Sequence, residues 1–276
     1  MTPPPGAAAQ PRPKRRLAWI IAALLGAVFV VLPAAWQAGA YGVTRTGTLR
    51  GATEGRPVTA LRIMGGGADI AVSPRADQQV GYRAEVSWSR TKPSIEQSWH
   101  EGTLTLTPHC SEEDSWPANR SSSCSVRLGV TVPAGLPVTV SSVSGRVEIG
   151  GLGGAVDVRV DSGQLGLTGL RGPVHARIGS GTLLATALTT PEAVLSVGSG
   201  RADIGFVTPP DHVTADIRDG HLALNFPEAT RFRVATRTGT GRIGLAPELS
   251  DPASPRILDL SAGDGGIDAQ YPQLLP

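Results

Sequence analysis

A small polar residue followed by glycine recurs seven times along the second half of this 276-residue chain. Successive glycines are separated by 18, 18, 19, 20, 21 and 24 residues. The seven pairs are Ser144-Gly145, Ser162-Gly163, Ser180-Gly181, Ser199-Gly200, Asp219-Gly220, Thr240-Gly241 and Asp264-Gly265. A period of this length predicts a stack of similar units, because no single unit is large enough to bury an apolar face alone.

Small apolar residues alternate with polar residues on both sides of each of these glycines, which we call corner glycines. Around Gly181 the apolar positions are Val174, Ala176, Ile178, Leu183 and Ala185. Period-two alternation predicts two short strands, each buried on one face. A third inward position is expected seven residues after the corner, at Leu152, Leu170, Leu188 and Val207. We therefore predict an all-β fold, a single-stranded parallel β-helix (β-solenoid) with coils of 18–24 residues over residues 133–270.

The composition agrees with a narrow interior, since the chain has 35 glycines and only 4% aromatic residues. An earlier segment fits the same register with Gly66 as its corner. We expect residues 57–132 to contain this first coil and a set of larger strands that cap the stack. Residues 37–56 are predicted to be a linker, and residues 271–276 a tail.

The N-terminal segment has the pattern of a membrane anchor. Four basic residues lie between Arg12 and Arg16, and an uncharged apolar run follows over residues 17–36. About 20 residues suffice to cross the hydrocarbon core of a bilayer, and the basic flank favours the cytoplasmic side. We predict a cytoplasmic Pro-rich tail (1–16), a single transmembrane helix (17–36) and an extracytoplasmic C-terminal part at the cell membrane. The alternative is a cleaved signal peptide with the small residues 38–40 at its cleavage site.

Cys110 and Cys124 are the only cysteines of the chain. Outside the cytoplasm an isolated pair usually forms a disulfide, which we predict here. His109 lies beside Cys110, but further ligands at regular spacing are missing, so we expect no metal site and no cofactor.

The charge pattern excludes several classes of partner. Residues 17–276 carry 21 basic and 23 acidic side chains, so there is no strongly basic surface for a nucleic acid. No Walker lysine follows any of the glycine runs, and we expect no nucleotide. Outward positions one residue after the corners form a broken basic stripe. Its members are Arg146, Arg201, His221 and Arg242. This stripe is a candidate contact for an anionic polymer; the alternative is an exposed face balanced by neighbouring acids.

Other parallel β-helices cleave polysaccharides, and a glycosidase of this kind requires two carboxylates at catalytic spacing. We expect successive coils to stack in sequence order, so Glu148, Asp203 and Asp268 are three coils apart, or about 14 Å. Glycosidase carboxylates lie about 5–9.5 Å apart. In the preceding strands Asp157, Asp216 and Asp259 are expected on non-adjacent coils. The histidines His175, His212 and His221 have different offsets from their corners, and we expect no catalytic triad or zinc site.

Several segments together resemble a known family. They are the apolar N-terminus, residues 66–70 (Gly-Gly-Ala-Asp-Ile), Lys92-Pro93, residues 132–135 (Val-Pro-Ala-Gly) and the Ser-Gly-x-apolar-x-apolar repeats. Over roughly residues 55–270 the chain resembles the bacterial adhesin-like β-strand repeat family, the group of auto-transporter adhesin head domains, in its membrane-anchored form from high-GC bacteria. The resemblance implies a β-helix, usually right-handed, at the cell envelope, with no established reaction.

We therefore expect a non-enzymatic envelope protein that displays a β-solenoid for binding or scaffolding. Its partners would be the membrane and a cell-wall polymer or an envelope protein. Two other functions remain open at this point: a carbohydrate-active β-helix enzyme acting on an envelope polysaccharide, and the regulatory ectodomain of a membrane complex.

Overall fold

The computed structural model describes residues 26–27, 44–53, 55–89, 91–110 and 124–271. From residue 44 onward, the described residues form an all-β fold, as predicted, with 17 strands in one sheet and one short 3₁₀ helix, Pro247–Leu249. The strands are β1 (Arg45–Ala52), β2 (Ala60–Met64), β3 (Asp69–Arg75), β4 (Gly81–Trp88), β5 (Ser94–His100), β6 (Thr103–His109), β7 (Cys124–Pro133), β8 (Val138–Ser142), β9 (Arg146–Gly150), β10 (Val156–Thr168), β11 (Val174–Leu188), β12 (Glu192–Phe206), β13 (His212–Asn225), β14 (Arg233–Thr238), β15 (Arg242–Leu245), β16 (Ile257–Ala262) and β17 (Gly266–Gln270).

The predicted transmembrane helix, 17–36, lies outside the described residues except for Gly26 and Ala27, which are helical. Within the described ranges, no helix has the length and apolar character needed to cross a bilayer.

The central strands β10 to β13 pair in parallel, each with the next in chain order. Register partners are 18 residues apart between β10 and β11, 19 between β11 and β12, and 20 between β12 and β13. These separations match the spacing of the corner glycines. The corner glycines themselves are register partners, for example Gly163 with Gly181. Each repeat therefore lies directly against the next one along its whole length.

The corner requires glycine for two reasons, which Gly181 illustrates. Its φ angle is +127°, a conformation that L side chains rarely adopt. In addition, a Cβ atom at this position would overlap the carbonyl oxygen of Gly163 in the neighbouring repeat. At the corners Gly163, Gly181, Gly200 and Gly220, the glycine thus allows both the bend within a repeat and the close stacking between repeats.

The predicted inward positions form the core. Almost all of the small apolar residues flanking the corners are buried, and so are Leu152, Leu170 and Leu188 at the third position. Val207 is an exception, because it is 59% exposed and Phe206 is buried in its place. The reason is an irregularity in β11 between Ala185 and Leu188, which pairs Leu188 with Phe206 and shifts the following register by one residue.

The repeats at the C-terminal end do not stack in sequence order, contrary to our expectation. Strand β13 pairs with β16 and β17, which in turn pair with β14 and β15. The unit β16–β17 therefore lies between β13 and the outermost unit, β14–β15. Ile243 and Leu245 of the outermost unit are only partly buried, since that unit has a neighbour on one side among the described strands.

The N-terminal end shows the same kind of exchange. The predicted first coil, β2–β3, pairs in parallel with β8–β9 on one side. On its other side β2 pairs in parallel with β6, and β3 with β7. We expected β6 and β7 to belong to a separate cap. Strands β1, β4 and β5 form the cap by antiparallel pairing, with β4 on β7, β1 on β4 and β5 on β6. Residues 45–52, expected within the linker, form β1 because its backbone pairs with the otherwise open edge of β4.

The predicted disulfide is confirmed. Cys110 and Cys124 are bonded, with 6.0 Å between their Cα atoms. Cys110 directly follows β6 and Cys124 begins β7, so the bond joins these strands where β2 and β3 are joined by the turn around Gly66. It thereby holds together the two ends of a long insertion at this corner.

Candidate functional site

The four residues of the predicted basic stripe share one register position, which we call the basic row. Across neighbouring strands the row reads Arg146, Gln164, Thr182, Arg201, His221, Gly266 and Arg242. Two uncharged residues separate Arg146 from Arg201, and Gly266 separates His221 from Arg242. Only Arg201 and His221 are direct neighbours, so the row is less continuous than the sequence order suggested.

Polar neighbours engage part of the basic row. The Arg146 guanidinium donates a hydrogen bond from Nε to Gln164 Oε1 at 3.0 Å and lies 4.0 Å from a Glu148 carboxylate oxygen. His221 Nε2 lies 3.6 Å from Asp268 Oδ2. In the part of the chain that the structure describes, no carboxylate oxygen lies within 4.0 Å of Arg201 or Arg242. These two arginines are therefore the members of the row best placed to contact an anion.

The acidic row two positions further along differs from our expectation. It contains Glu148, Asp203 and Asp268, but Ala223 alone separates the last two because β17 pairs with β13. Their strands are two spacings apart, about 10 Å, instead of three. Asp203 accepts a hydrogen bond from Asn225 at 3.0 Å. Even with this correction the separation is at the upper end of the glycosidase range.

Asp216 and Asp259 were expected on non-adjacent coils, and this prediction is wrong. They lie on the adjacent strands β13 and β16. Asp259 is the register partner of Thr214, and Ser261 is the register partner of Asp216. The strand spacing and rise place their Cα atoms about 8 Å apart. Asp259 also lies 3.4 Å from His212 Nε2. The proximity of Asp216 to Asp259 and of Asp259 to His212 arises because β16, and not β14, is the neighbour of β13.

This second carboxylate pair lies on an open strand face. The side chain of Asp259 is 41% exposed, and Asp216 is exposed as well. A general acid in a glycosidase needs a raised pKa, which burial in an apolar pocket provides. Among the described residues, moreover, no group of three or more His, Cys, Asp or Glu side chains could hold a metal ion. The adjacent strands bring Asp216 and Asp259 near each other, but the pair lacks the enclosed surroundings of a glycosidase site.

The structure also reveals a basic surface that the sequence did not predict. Arg50, Arg75 and Arg83, from three strands near the N-terminal end, line one open depression of about 670 Å³. No sequence pattern marks it, because the three residues come from β1, β3 and β4, which only the long-range pairing of β1 with β4, β4 with β7 and β7 with β3 brings together.

Several solved structures align with most of this chain at low sequence identity. A putative adhesin from Bacteroides fragilis covers 81% of this chain and 97% of its own, with a TM-score of 0.49 and 14% identity. A putative adhesin from Parabacteroides merdae covers 83% of this chain and 97% of its own, with a TM-score of 0.46 and 13% identity. A putative cell adhesion protein from Clostridium sporogenes covers 83% of this chain and 100% of its own, with a TM-score of 0.34 and 12% identity. No protein-family model and no curated protein matches the sequence.

Proposed function

We propose that the parallel repeats form a β-solenoid. The support is that one repeat pairs with the next at the same register shift on both sides of its corner, as at Val156–Val174 and Leu165–Leu183. A chain that returns to the same lateral position every 18–20 residues, with inward side chains before and after each bend, follows a helical path. Leu152, Leu170 and Leu188 then provide the third side of each coil.

The solenoid is displayed at the cell envelope in this proposal. The apolar run 17–36 would act as a single-pass anchor, with residues 1–16 in the cytoplasm and the repeats outside. The disulfide between Cys110 and Cys124 supports export, because such bonds persist in oxidising compartments.

Its function in this proposal is adhesin-like: a non-enzymatic module that binds an extended envelope polymer or supports an envelope protein. The observation that carries it is the outward row of register partners that continues across neighbouring strands. In the basic row, side chains follow one another at the strand spacing of about 4.8 Å, so successive groups of an extended ligand can contact successive strands. Arg201 and His221 form the centre of this contact surface.

A screen of the full chain in nonionic detergent tests this function. Purified peptidoglycan and anionic and neutral envelope polysaccharides would be offered as ligands, and retention on the insoluble polymer measured. We expect retention by an anionic polymer that weakens in an Arg201→Gln/His221→Gln variant and persists in a Thr139→Ala control. Retention by none of the polymers would contradict polymer binding.

A carbohydrate-active enzyme is the second candidate, because Asp216 and Asp259 lie on adjacent strands with their Cα atoms about 8 Å apart. Release of new reducing ends would be measured in the same screen. The proposal expects none; release that disappears in an Asp216→Asn/Asp259→Asn variant would instead establish the enzyme.

A further inference from the structure

Two arginines of the cap lie side by side. Arg50 of β1 and Arg83 of β4 are direct partners in the antiparallel pairing, and both are exposed. Directly opposed residues have Cβ atoms about 5 Å apart and point to the same face, and like charges at such positions are destabilising. The fold therefore retains two arginines at directly opposed positions, at a cost to its own stability.

Arg75 adds a third guanidinium. A Cβ atom built on Gly81 would lie 2.9 Å from Arg75 Nη1, so this guanidinium lies over Gly81. Gly81 is two residues before Arg83 on the same strand and therefore shares its face. The absence of a side chain at Gly81 gives Arg75 the space to approach the other two arginines. We call Arg50, Arg75 and Arg83 the guanidinium cluster.

Carboxylates neutralise only part of the cluster. Asp77 forms an ion pair with Arg75. Glu85 is two residues from Arg83 on the same face, but none of its oxygens lies within 4.0 Å of Arg50 or Arg83. Arg50 and Arg83 have no ion-pair partner among the described residues. The cluster therefore presents unsatisfied donors and positive charge to solvent.

Several of the residues that line the depression beside the cluster have small side chains or none. Ala52, Ala71, Gly81 and Gly129 contribute almost no side-chain volume, and Ser73 adds an exposed hydroxyl. The depression of about 670 Å³ is much larger than one phosphate ion. The large exposed apolar side chains of the described residues lie elsewhere. Those side chains are Met64, Val143, Leu184 and Val207. The surface thus suits a polar ligand with an anionic group.

We propose that the guanidinium cluster binds the phosphate group of a sugar-phosphate polymer. Guanidinium groups present several N–H donors in a fixed plane and bind phosphate oxygens with charge-assisted hydrogen bonds. The three guanidiniums offer enough donors for the two non-bridging oxygens of a phosphodiester within such a polymer, and also for the three terminal oxygens of a phosphomonoester such as glucose 1-phosphate. The small side chains of the depression and the Ser73 hydroxyl then accommodate the sugar. This site is separate from the basic row, so the two can be tested independently.

Calorimetric titration of the full chain in nonionic detergent with glucose 1-phosphate tests the proposal. We expect glucose 1-phosphate to bind and glucose not to bind. An Arg50→Gln/Arg83→Gln variant should bind about tenfold more weakly or worse, because charge-assisted hydrogen bonds are lost. The matched control is Arg159→Gln/Arg177→Gln, which removes two arginines that are also direct register partners. Its affinity should stay within about twofold of the unmodified chain's.

A folding defect is separated from loss of the site in two ways. Thermal unfolding of the Arg50→Gln/Arg83→Gln variant should not occur at a lower temperature, since repulsion between the arginines is removed. An Ala71→Asp variant keeps all three arginines but adds a competing carboxylate, and it should also weaken binding. Equal affinity for glucose 1-phosphate in the unmodified chain and both of these variants would overturn the proposal.

The source of the phosphate is tested with two further probes. Inorganic phosphate should bind more weakly than glucose 1-phosphate; equal affinity would overturn a role for the sugar. Vesicles of phosphatidylglycerol and phosphatidylcholine provide the lipid alternative. Arginine-dependent vesicle binding that glucose 1-phosphate fails to displace would assign the cluster to lipid headgroups and overturn the sugar-phosphate assignment.

Discussion

The ring of Phe206 stacks on the ring of Phe226, with 5.1 Å between their centroids and 8° between their planes. Phe232 continues this contact, 4.8 Å from Phe226. Phe206 is the register partner of Leu188 at the inward position that follows each corner, and the other two rings pack beyond it. Larger side chains therefore fill the interior toward the C-terminal end.

Replacing Phe226 should cause a large loss of stability. Phe226 is fully buried between two other rings, so Phe226→Ala leaves a cavity and removes both aromatic contacts. We expect the free energy of unfolding to fall by about 3–5 kcal/mol, measured by chemical denaturation. Phe226→Leu, which matches the side chain of the earlier repeats, should cost clearly less. Similar losses for both variants would contradict a role for the stacked rings.

A corner glycine should not tolerate even a methyl group. Gly181→Ala forces a Cβ atom against the Gly163 carbonyl and requires an unfavourable φ angle, so we expect a loss of about 3 kcal/mol or more. Gly205→Ala is the matched control, since its Cβ atom would lie 3.8 Å from the Ala185 carbonyl oxygen, an ordinary contact. Comparable denaturation curves for the two variants would show that the corners are not tightly stacked.

The disulfide should stabilise the N-terminal end. The chain-entropy model gives about 3 kcal/mol for a loop of this length. We expect no free thiol in the unmodified protein exported to an oxidising compartment, and a lower unfolding midpoint in Cys110→Ser/Cys124→Ser. Two titratable thiols under those conditions would refute the bond. An unchanged midpoint would show that the bond contributes no stability.

The exchanged order of the C-terminal repeats can be tested by cross-linking. Thr214 and Asp259 are register partners, so cysteines at both positions should form a disulfide on mild oxidation. Cysteines at Thr214 and Ala235 should not, because β16 lies between their strands. The opposite result would restore sequential stacking. Intact mass before and after reduction gives the readout.

The sequence was sufficient to predict the repeat, its corners and its inward positions, because these depend on residues only a few positions apart. It was not sufficient to predict which repeats are neighbours, since β14–β15 and β16–β17 have the same alternation. One signal was available: Thr236 and Thr238 occupy inward positions where other repeats have aliphatic residues. These polar side chains suit the outermost unit, where both are exposed. The proximity of Arg50 and Arg83 depends on long-range pairing, which alternation cannot reveal.

The exchanged ends have a consequence for the order in which the molecule is completed. Strands β14 and β15 find their only described partners in β16 and β17, which are synthesised later. The outermost unit must therefore wait for residues 257–270 before it can pair. For the same reason, a duplication of one repeat is easiest to accommodate among β10–β13, where neighbours in space are also neighbours in sequence. The exchanged units at the two ends cannot be duplicated without changing their partners, so we expect the number of repeats to vary between them.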